Sequence, residues 1–303
     1  MNKNIGLLPY IEEPLYGMST NQPAIKGWEI TQFNVPSYWK QSRGENVVVG
    51  VIDTGVDFNH EDLKNNIVTG KNFVENNQEP MDVCGHGTHV SSTIAADDNG
   101  YGIVGVANKT KIMPIKALDN NGNGNMQSIV SAIKFAADAG VDFITMSLGS
   151  PNPSRSIDDA IKYAAKKGCI IFCAAGNSGP AVDIMYPAKY DHTISIGAID
   201  KNLNRTNFTC SGDSLDFLAP GHEIIGCVPN NKYSMMSGTS MSNPFAVGLA
   251  CLLLSYNKSE KRYSLKTSDD YIEIFKKTAT DLSDPRYKGI KKYQGYGIIH
   301  PTL

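Results

Sequence analysis

The chain has 303 residues, 41% of them hydrophobic, which is enough for one large core or two modest ones. Its 28 Lys and Arg nearly balance 30 Asp and Glu, so no basic field marks a nucleic-acid partner, and the run Lys288-Gly-Ile-Lys-Lys292 reads as a solvated face. No stretch approaches the ~20 consecutive apolar residues of a membrane helix, and the N-terminus lacks a charged segment followed by an apolar one, so a cytoplasmic protein without a membrane partner is expected.

In chain order, residues 1–24 carry three prolines and no clear period, and read as an extension to a body at 25–303. Within the extension, Leu7-Leu8-Pro9-Tyr10 is apolar where a tail is normally polar, so another part of the chain should receive it. Val47 to Asp53 (VVVGVID) is the first near-continuous apolar run, as in a strand buried on both faces. Ile112 to Leu118, Val141 to Leu148, Cys169 to Ala175 and Thr193 to Ala198 repeat that pattern. Helical spacing fills Gln127 to Ala139, Ser156 to Lys167, Met241 to Tyr256 and Asp270 to Thr278. The alternation predicts an α/β fold with a mostly parallel sheet. Cysteines stand at 84, 169, 173, 210, 227 and 251, and all six are expected to be reduced.

In such sheets functional groups gather beyond the carboxyl ends of strands. Asp53-Thr54-Gly55 follows the first strand, Gly85-His86-Gly87-Thr88-His89 a glycine-rich turn, Gly176-Asn177-Ser178-Gly179 the fourth strand, and Gly238-Thr239-Ser240 precedes the long apolar helix. A serine hydroxyl is a weak nucleophile unless a histidine takes its proton and a carboxylate fixes the imidazole tautomer. The oxyanion that follows needs aimed donors, which a helix N-terminus and the Asn177 amide can supply. Singly, each group has a plainer reading: Asp53 a turn residue, Ser240 an N-cap, His86 and His89 metal ligands with Cys84.

Together, VIDTGVD, GHGTHV, AAGNSG and SGTSMSNP resemble the signature blocks of the subtilisin-like serine proteases, over roughly residues 45 to 300. The resemblance implies a three-layer fold and an endopeptidase in which Asp53, His86 and Ser240 are the triad and Asn177 the oxyanion donor. Where that family usually has Ala-Ser-Pro-His after its Ser-Met pair, this chain has Ser242-Asn243-Pro244-Phe245. The family binds peptide substrates as an added strand, here between Ser147-Leu148-Gly149 and Gly122-Asn123-Gly124. Met185, just before Tyr186-Pro187, would shorten the main specificity pocket and favour medium apolar residues. Asp119 to Gly124 mimics the start of an EF-hand loop, but Val130 stands where that loop needs Glu, so calcium binding of that kind is rejected. Structural Ca²⁺ is expected instead at Asp62 with the loop Asp97, Asn99, Tyr101 and Ile103, which resembles the family's calcium loop.

Leu7-Leu8-Pro9-Tyr10 resembles the N-terminal extension of the intracellular subtilisins, which lies across the cleft and blocks it. The implied protein is a latent protease that acts in the cytoplasm on protein or peptide substrates. Its own extension is the intramolecular inhibitor, and a homodimer is one state that branch adopts. Cys84, beside the histidine, is expected to make the enzyme sensitive to thiol reagents. Three other readings compete. A peptide-binding pseudo-protease would share every block. A nucleotide-binding enzyme would need a glycine-rich turn where Asp53-Thr-Gly-Val-Asp57 is acidic, and an esterase would need a G-x-S-x-G elbow that Ser240 lacks.

Overall fold

The computed structural model describes residues 5–15, 23–75 and 78–303, so residues 1–4 and 16–22 of the expected extension lie outside the described residues. The elements run β1 (Ile5–Leu7), β2 (Ile11–Pro14), α1 (Trp28–Gln32), β3 (Val48–Asp53), β4 (Lys71–Asn72), α2 (His86–Ala95), β5 (Lys111–Lys116), β6 (Asn123–Gly124) and α3 (Met126–Asp138). They continue through β7 (Phe143–Met146), β8 (Leu148–Gly149), α4 (Arg155–Lys166), β9 (Ile170–Ala174), β10 (Thr193–Ile199), β11 (Phe217–Pro220), β12 (Ile224–Val228) and β13 (Lys232–Ser237). Helices α5 (Thr239–Glu260), α6 (Ser268–Lys276) and α7 (Lys291–Gln294) close the chain.

The apolar runs become the strands of a seven-stranded sheet, order β11-β10-β9-β7-β3-β5-β4, parallel throughout. Strand order reverses around β3, whose neighbours are β5 on one side and β7 on the other, and ligands of such sheets bind beyond the strand ends at a reversal of this kind. Helices flank the sheet in three layers, α2 packing on α5 and α3 on α4. The six cysteines are free thiols, as expected.

The long apolar helix begins at Thr239, two residues earlier than its apolar pattern suggests, and its N-cap is Gly238. Ser240 therefore sits inside the first turn, which removes the plain reading of it as an N-cap. Pro244 lies within the same helix and lacks the N–H that would bond the carbonyl four residues back, which is that of Ser240. The Ser147 hydroxyl donates to that carbonyl at 3.1 Å. The departures at 243 and 245 are absorbed by packing. The buried Asn243 amide donates to Thr145 Oγ1 at 2.8 Å, and Phe245 meets Phe33 edge-on at 5.2 Å.

The N-terminal strands join two small sheets at the rim. β1 is the middle strand of β6-β1-β8 and β2 the edge of β12-β13-β2, all antiparallel. After the second of these strands the described backbone resumes at Pro23, which bridges Tyr101, and Ile25 bridges Ile103.

Candidate active site

Asp53 ends β3 and is buried; its Oδ1 accepts the Thr54 N–H at 2.7 Å and lies 2.8 Å from His86 Nδ1. His86 opens α2, capped by Gly85 in the left-handed region at φ 102°. Gly87 allows the approach, since a Cβ there would fall 2.1 Å from the Gly55 carbonyl oxygen. With Nδ1 held by the carboxylate, His86 Nε2 is buried and has no hydrogen-bond partner. Ser240 Oγ, also buried, rests 3.4 Å from the Ser147 carbonyl oxygen.

Asn177 follows β9. Its Oδ1 accepts the Thr239 N–H at 2.9 Å and the Thr239 hydroxyl at 2.8 Å. A backbone N–H can only donate, so the amide nitrogen must face the groove. There it donates to the Pro9 carbonyl at 2.6 Å. Asp53 thus orients the His86 imidazole, and Asn177 sets an amide donor beside the helix start that carries Ser240.

The segments 122–124 and 147–149, expected to bind substrate, flank β1. Ile5 pairs with Gly124, Gly6 with both Asn123 and Gly149, and Leu7 with Leu148, while the Leu7 N–H donates to the Gly122 carbonyl at 2.9 Å. Leu8 is buried, and its Cδ2 lies 2.7 Å from where a Gly149 Cβ would be, with Met185 bordering the same space. Met185 also faces Gly176, so it lines the pocket Leu8 fills. The Tyr10 ring lies 5.1 Å from the His86 ring. Burial pushes the Cys84 thiol above its ordinary range, which leaves it protonated beneath Tyr10.

Two supporting residues escaped the sequence reading. Asp82, buried, accepts from the Cys84 and Gly85 N–H groups, the Thr54 hydroxyl, and both the N–H and hydroxyl of Thr88, so one carboxylate braces the turn that carries His86. Its signal is slight: an acidic residue four before the histidine. Lys116, at the end of β5, buries its ammonium against the Thr54 carbonyl at 2.5 Å and Asn120 Oδ1 at 2.9 Å, and burial lowers its pKa.

The metal readings separate. His89 turns to β12, where its Nε2 meets the Ile224 carbonyl at 3.0 Å, and burial lowers its pKa to about 4. It does not join His86 and Cys84 in a metal site. In the mimic loop, Asp119 Oδ1 accepts the N–H groups of Asn121 and Asn123 and braces the turn. Around Asp62, the Asn99 amide nitrogen donates to Oδ1 at 3.1 Å and the Ile103 N–H to Oδ2 at 2.9 Å. The 97–103 loop does wrap this buried carboxylate: a Cβ on Gly102 would fall 2.1 Å from Asp62 Oδ2. Asn99 would have to turn its amide over to offer oxygen. The Asp97 carboxylate points elsewhere, to Lys109 at 2.8 Å and Asn65 at 3.0 Å, which leaves its main chain for any such role.

A sequence model of the subtilase family matches residues 44–297, the whole span that builds the sheet, the triad geometry and the groove. The chain belongs to the subtilase family. Subtilisin DY of Bacillus licheniformis is 41% identical over 250 residues, 82% of this chain and 88% of its own length. The major intracellular serine protease of Bacillus subtilis is 35% identical over 289 residues, covering 92% of this chain and 89% of that protein. The intracellular serine protease of Paenibacillus polymyxa is 37% identical over 285 residues, 91% and 85% of the two chains. The chain is thus a serine endopeptidase of the subtilase family. Among the described residues no helix is long and apolar enough to cross a membrane.

Proposed function

We propose that this subtilase is a cytoplasmic endopeptidase held latent by its N-terminal extension, residues 1–24, of which residues 5–10 cross its own active site. Ser240 Oγ attacks the scissile carbonyl after turning from Ser147 toward His86 Nε2, which takes its proton. Asp53 holds the imidazole tautomer through Nδ1, and the Asn177 amide donates to the oxyanion. Ser147 to Gly149 and Gly122 to Gly124 bind the substrate main chain, and Met185 sets a pocket for medium apolar side chains. A rival reading as a silent peptide-binding protein would leave the Asp53-oriented imidazole and the groove-facing Asn177 amide unused.

One observation carries the latency. Leu8 fills the side-chain pocket, yet the carbonyl on Asn177 belongs to Pro9. A cleavable peptide would place the carbonyl of the pocket residue itself on that donor. The extension is therefore out of step by one residue at the point of attack, and Tyr10 closes over His86. Proline, with its fixed φ, stiffens the crossing. Intact mass over time, for wild type beside Ser240→Ala in calcium, tests the whole reading. Loss of about the first 20 residues from wild type alone is the expected result; loss from both, or activity in Ser240→Ala, overturns it.

Calcium held by Asp62, with Asn99 and the main chain of Asp97, Tyr101 and Ile103, would pin the loop to the body. The support is the loop wrapped on a buried carboxylate, which suits a hard cation with oxygen ligands. Chelation should then lower Tm, and an unchanged Tm would remove the calcium. The homodimer rests on the same branch resemblance, and sedimentation decides it.

A further inference from the structure

Thr54 follows the triad carboxylate, and each of its polar atoms is engaged. Its N–H donates to Asp53 Oδ1 at 2.7 Å, the same oxygen that holds His86 Nδ1 at 2.8 Å. Its hydroxyl accepts the Gly87 N–H at 3.0 Å and donates to Asp82 Oδ1 at 2.9 Å. Its carbonyl accepts from the Lys116 ammonium at 2.5 Å. Thr54, Asp82 and Lys116 are all buried. We propose that Asp82 and Lys116 are positioning residues of the triad: two buried opposite charges clamp Thr54, which fixes Asp53 against His86. The inference rests on the triad of the proposed function and not on its latency.

The partners of Asp82 keep it ionised. Thr88 Oγ1 accepts the Asp57 N–H at 2.9 Å, and Thr54 Oγ1 accepts that of Gly87, so both hydroxyls turn their protons to Asp82. The N–H groups of Cys84, Gly85 and Thr88 complete the set. Burial pushes this carboxyl up, but five donors oppose it, and a carboxyl proton would find no acceptor among them. Lys116 stands beside Asp53 in the register of β3 and β5. Its ammonium also donates to Asn120 Oδ1 at 2.9 Å, in the loop that leads into the groove strand β6. One cation thus ties the triad's strand end to the substrate edge. Burial lowers its pKa, and the carboxylates of Asp82, Glu75 and Asp53 work the other way and hold it charged.

The remaining titratable groups at the His86 ring are uncharged near neutral pH. Tyr10 lies over the ring and Cys84 precedes it in the turn, and burial raises both. His89, on the same helix, is buried and its pKa is lowered to about 4. Among the described residues, Asp53, Asp82 and Lys116 are then the charges that set how firmly the imidazole holds a second proton. A histidine that takes the Ser240 proton and gives it up again needs that hold balanced. The two carboxylates favour the imidazolium, and Lys116 offsets them.

The test uses the full chain carrying Ser240→Ala, which prevents self-cleavage, with nitrogen-15 in its histidines. NMR then follows the His86 ring signals with pH. Their midpoint should move up by about one pH unit in Lys116→Met and down by about one in Asp82→Asn, and return close to the parent when the two are combined. A merely structural role would not give shifts of opposite sign. The proposal is overturned if either single variant leaves the midpoint in place, or if both move it the same way. Should a variant fail to fold, Thr54→Val, which removes the hydroxyl and keeps the size, decides through the low-field Nδ1 proton. Exchange with water at least about tenfold faster supports the clamp, and an unchanged rate ends it. A parent without a low-field Nδ1 proton would remove the triad reading, and this inference with it.

Discussion

The two strands of the extension are held in different ways. β1 is hydrogen-bonded on both edges, Ile5 is buried, and Leu8 behind it fills a pocket. β2 is exposed along its whole length and, among the described residues, bonded on one edge alone, to β13, with Ile11 57% exposed. The first half binds as a ligand would, by side chains in pockets and main chain in a slot. The second half is an added edge strand that little side-chain burial anchors. Latency should therefore reside in β1 and Leu8, while β2 is the half that opens first.

Several substitutions would sharpen or break that contrast. The largest effect belongs to the groove the first half occupies. In a chain lacking residues 1–20, Asn177→Ala should cut kcat by about 10²–10³ with little change in KM, because the amide acts on the oxyanion that forms during reaction. Steady-state kinetics on a peptide substrate read this, and an equal rise in KM would mean that Asn177 only binds. Next, Leu8→Asp in the full chain should unmask turnover by about tenfold or more, since an unpaired carboxylate would enter an apolar pocket; no change would move the inhibition elsewhere. Smaller still, Ile11→Lys should change turnover by no more than about twofold, as surface substitutions of this kind do little. A large activation by Ile11→Lys would reverse the ranking of the two halves.

The fold beneath the extension carries its own pH signature. Glu29 is buried, one of its oxygens has no partner, and burial raises its pKa from 4.5 to about 7. Between those values the folded state holds a proton the unfolded state has lost, so stability falls as pH rises across that window. Above pH 7 the buried charge costs about 3 kcal/mol on this shift. Glu29→Gln should raise Tm above pH 7 and leave it nearly unchanged at pH 4. Equal melting curves for the two proteins at pH 8 would deny the cost.

What could be read ahead of the structure divides along physical lines. Asp53, His86, Asn177 and Ser240 were legible because each stands at an element end among small residues, and the alternation of apolar runs predicts which ends converge. Leu7 to Tyr10 was legible as a misplaced apolar stretch. Asp82 and Lys116 were not, since a buried charge looks like any loop residue until the fold surrounds it. Cys227 was one of six cysteines expected to be reduced, with no partner foreseen. Only the pairing of β12 with β13, and the packing of β12 on α2, brings it against Asp62 and beside His60. The early start of α5 was hidden because Thr239 and Ser240 are weak helix formers, placed in the helix by Gly238 and by packing rather than by propensity.

The most direct test of the account is the initial rate of peptide hydrolysis by the full chain and by a chain that begins at residue 21, with a synthetic peptide of residues 1–15 added back to the second. The shortened chain should be at least about tenfold faster, since even 1.4 kcal/mol in favour of the closed groove hides nine sites in ten. The peptide should inhibit it competitively and stay uncut between Leu8 and Pro9. Equal rates for the two chains, or prompt cleavage of the peptide at that bond, would contradict an extension that lies out of step across the active site.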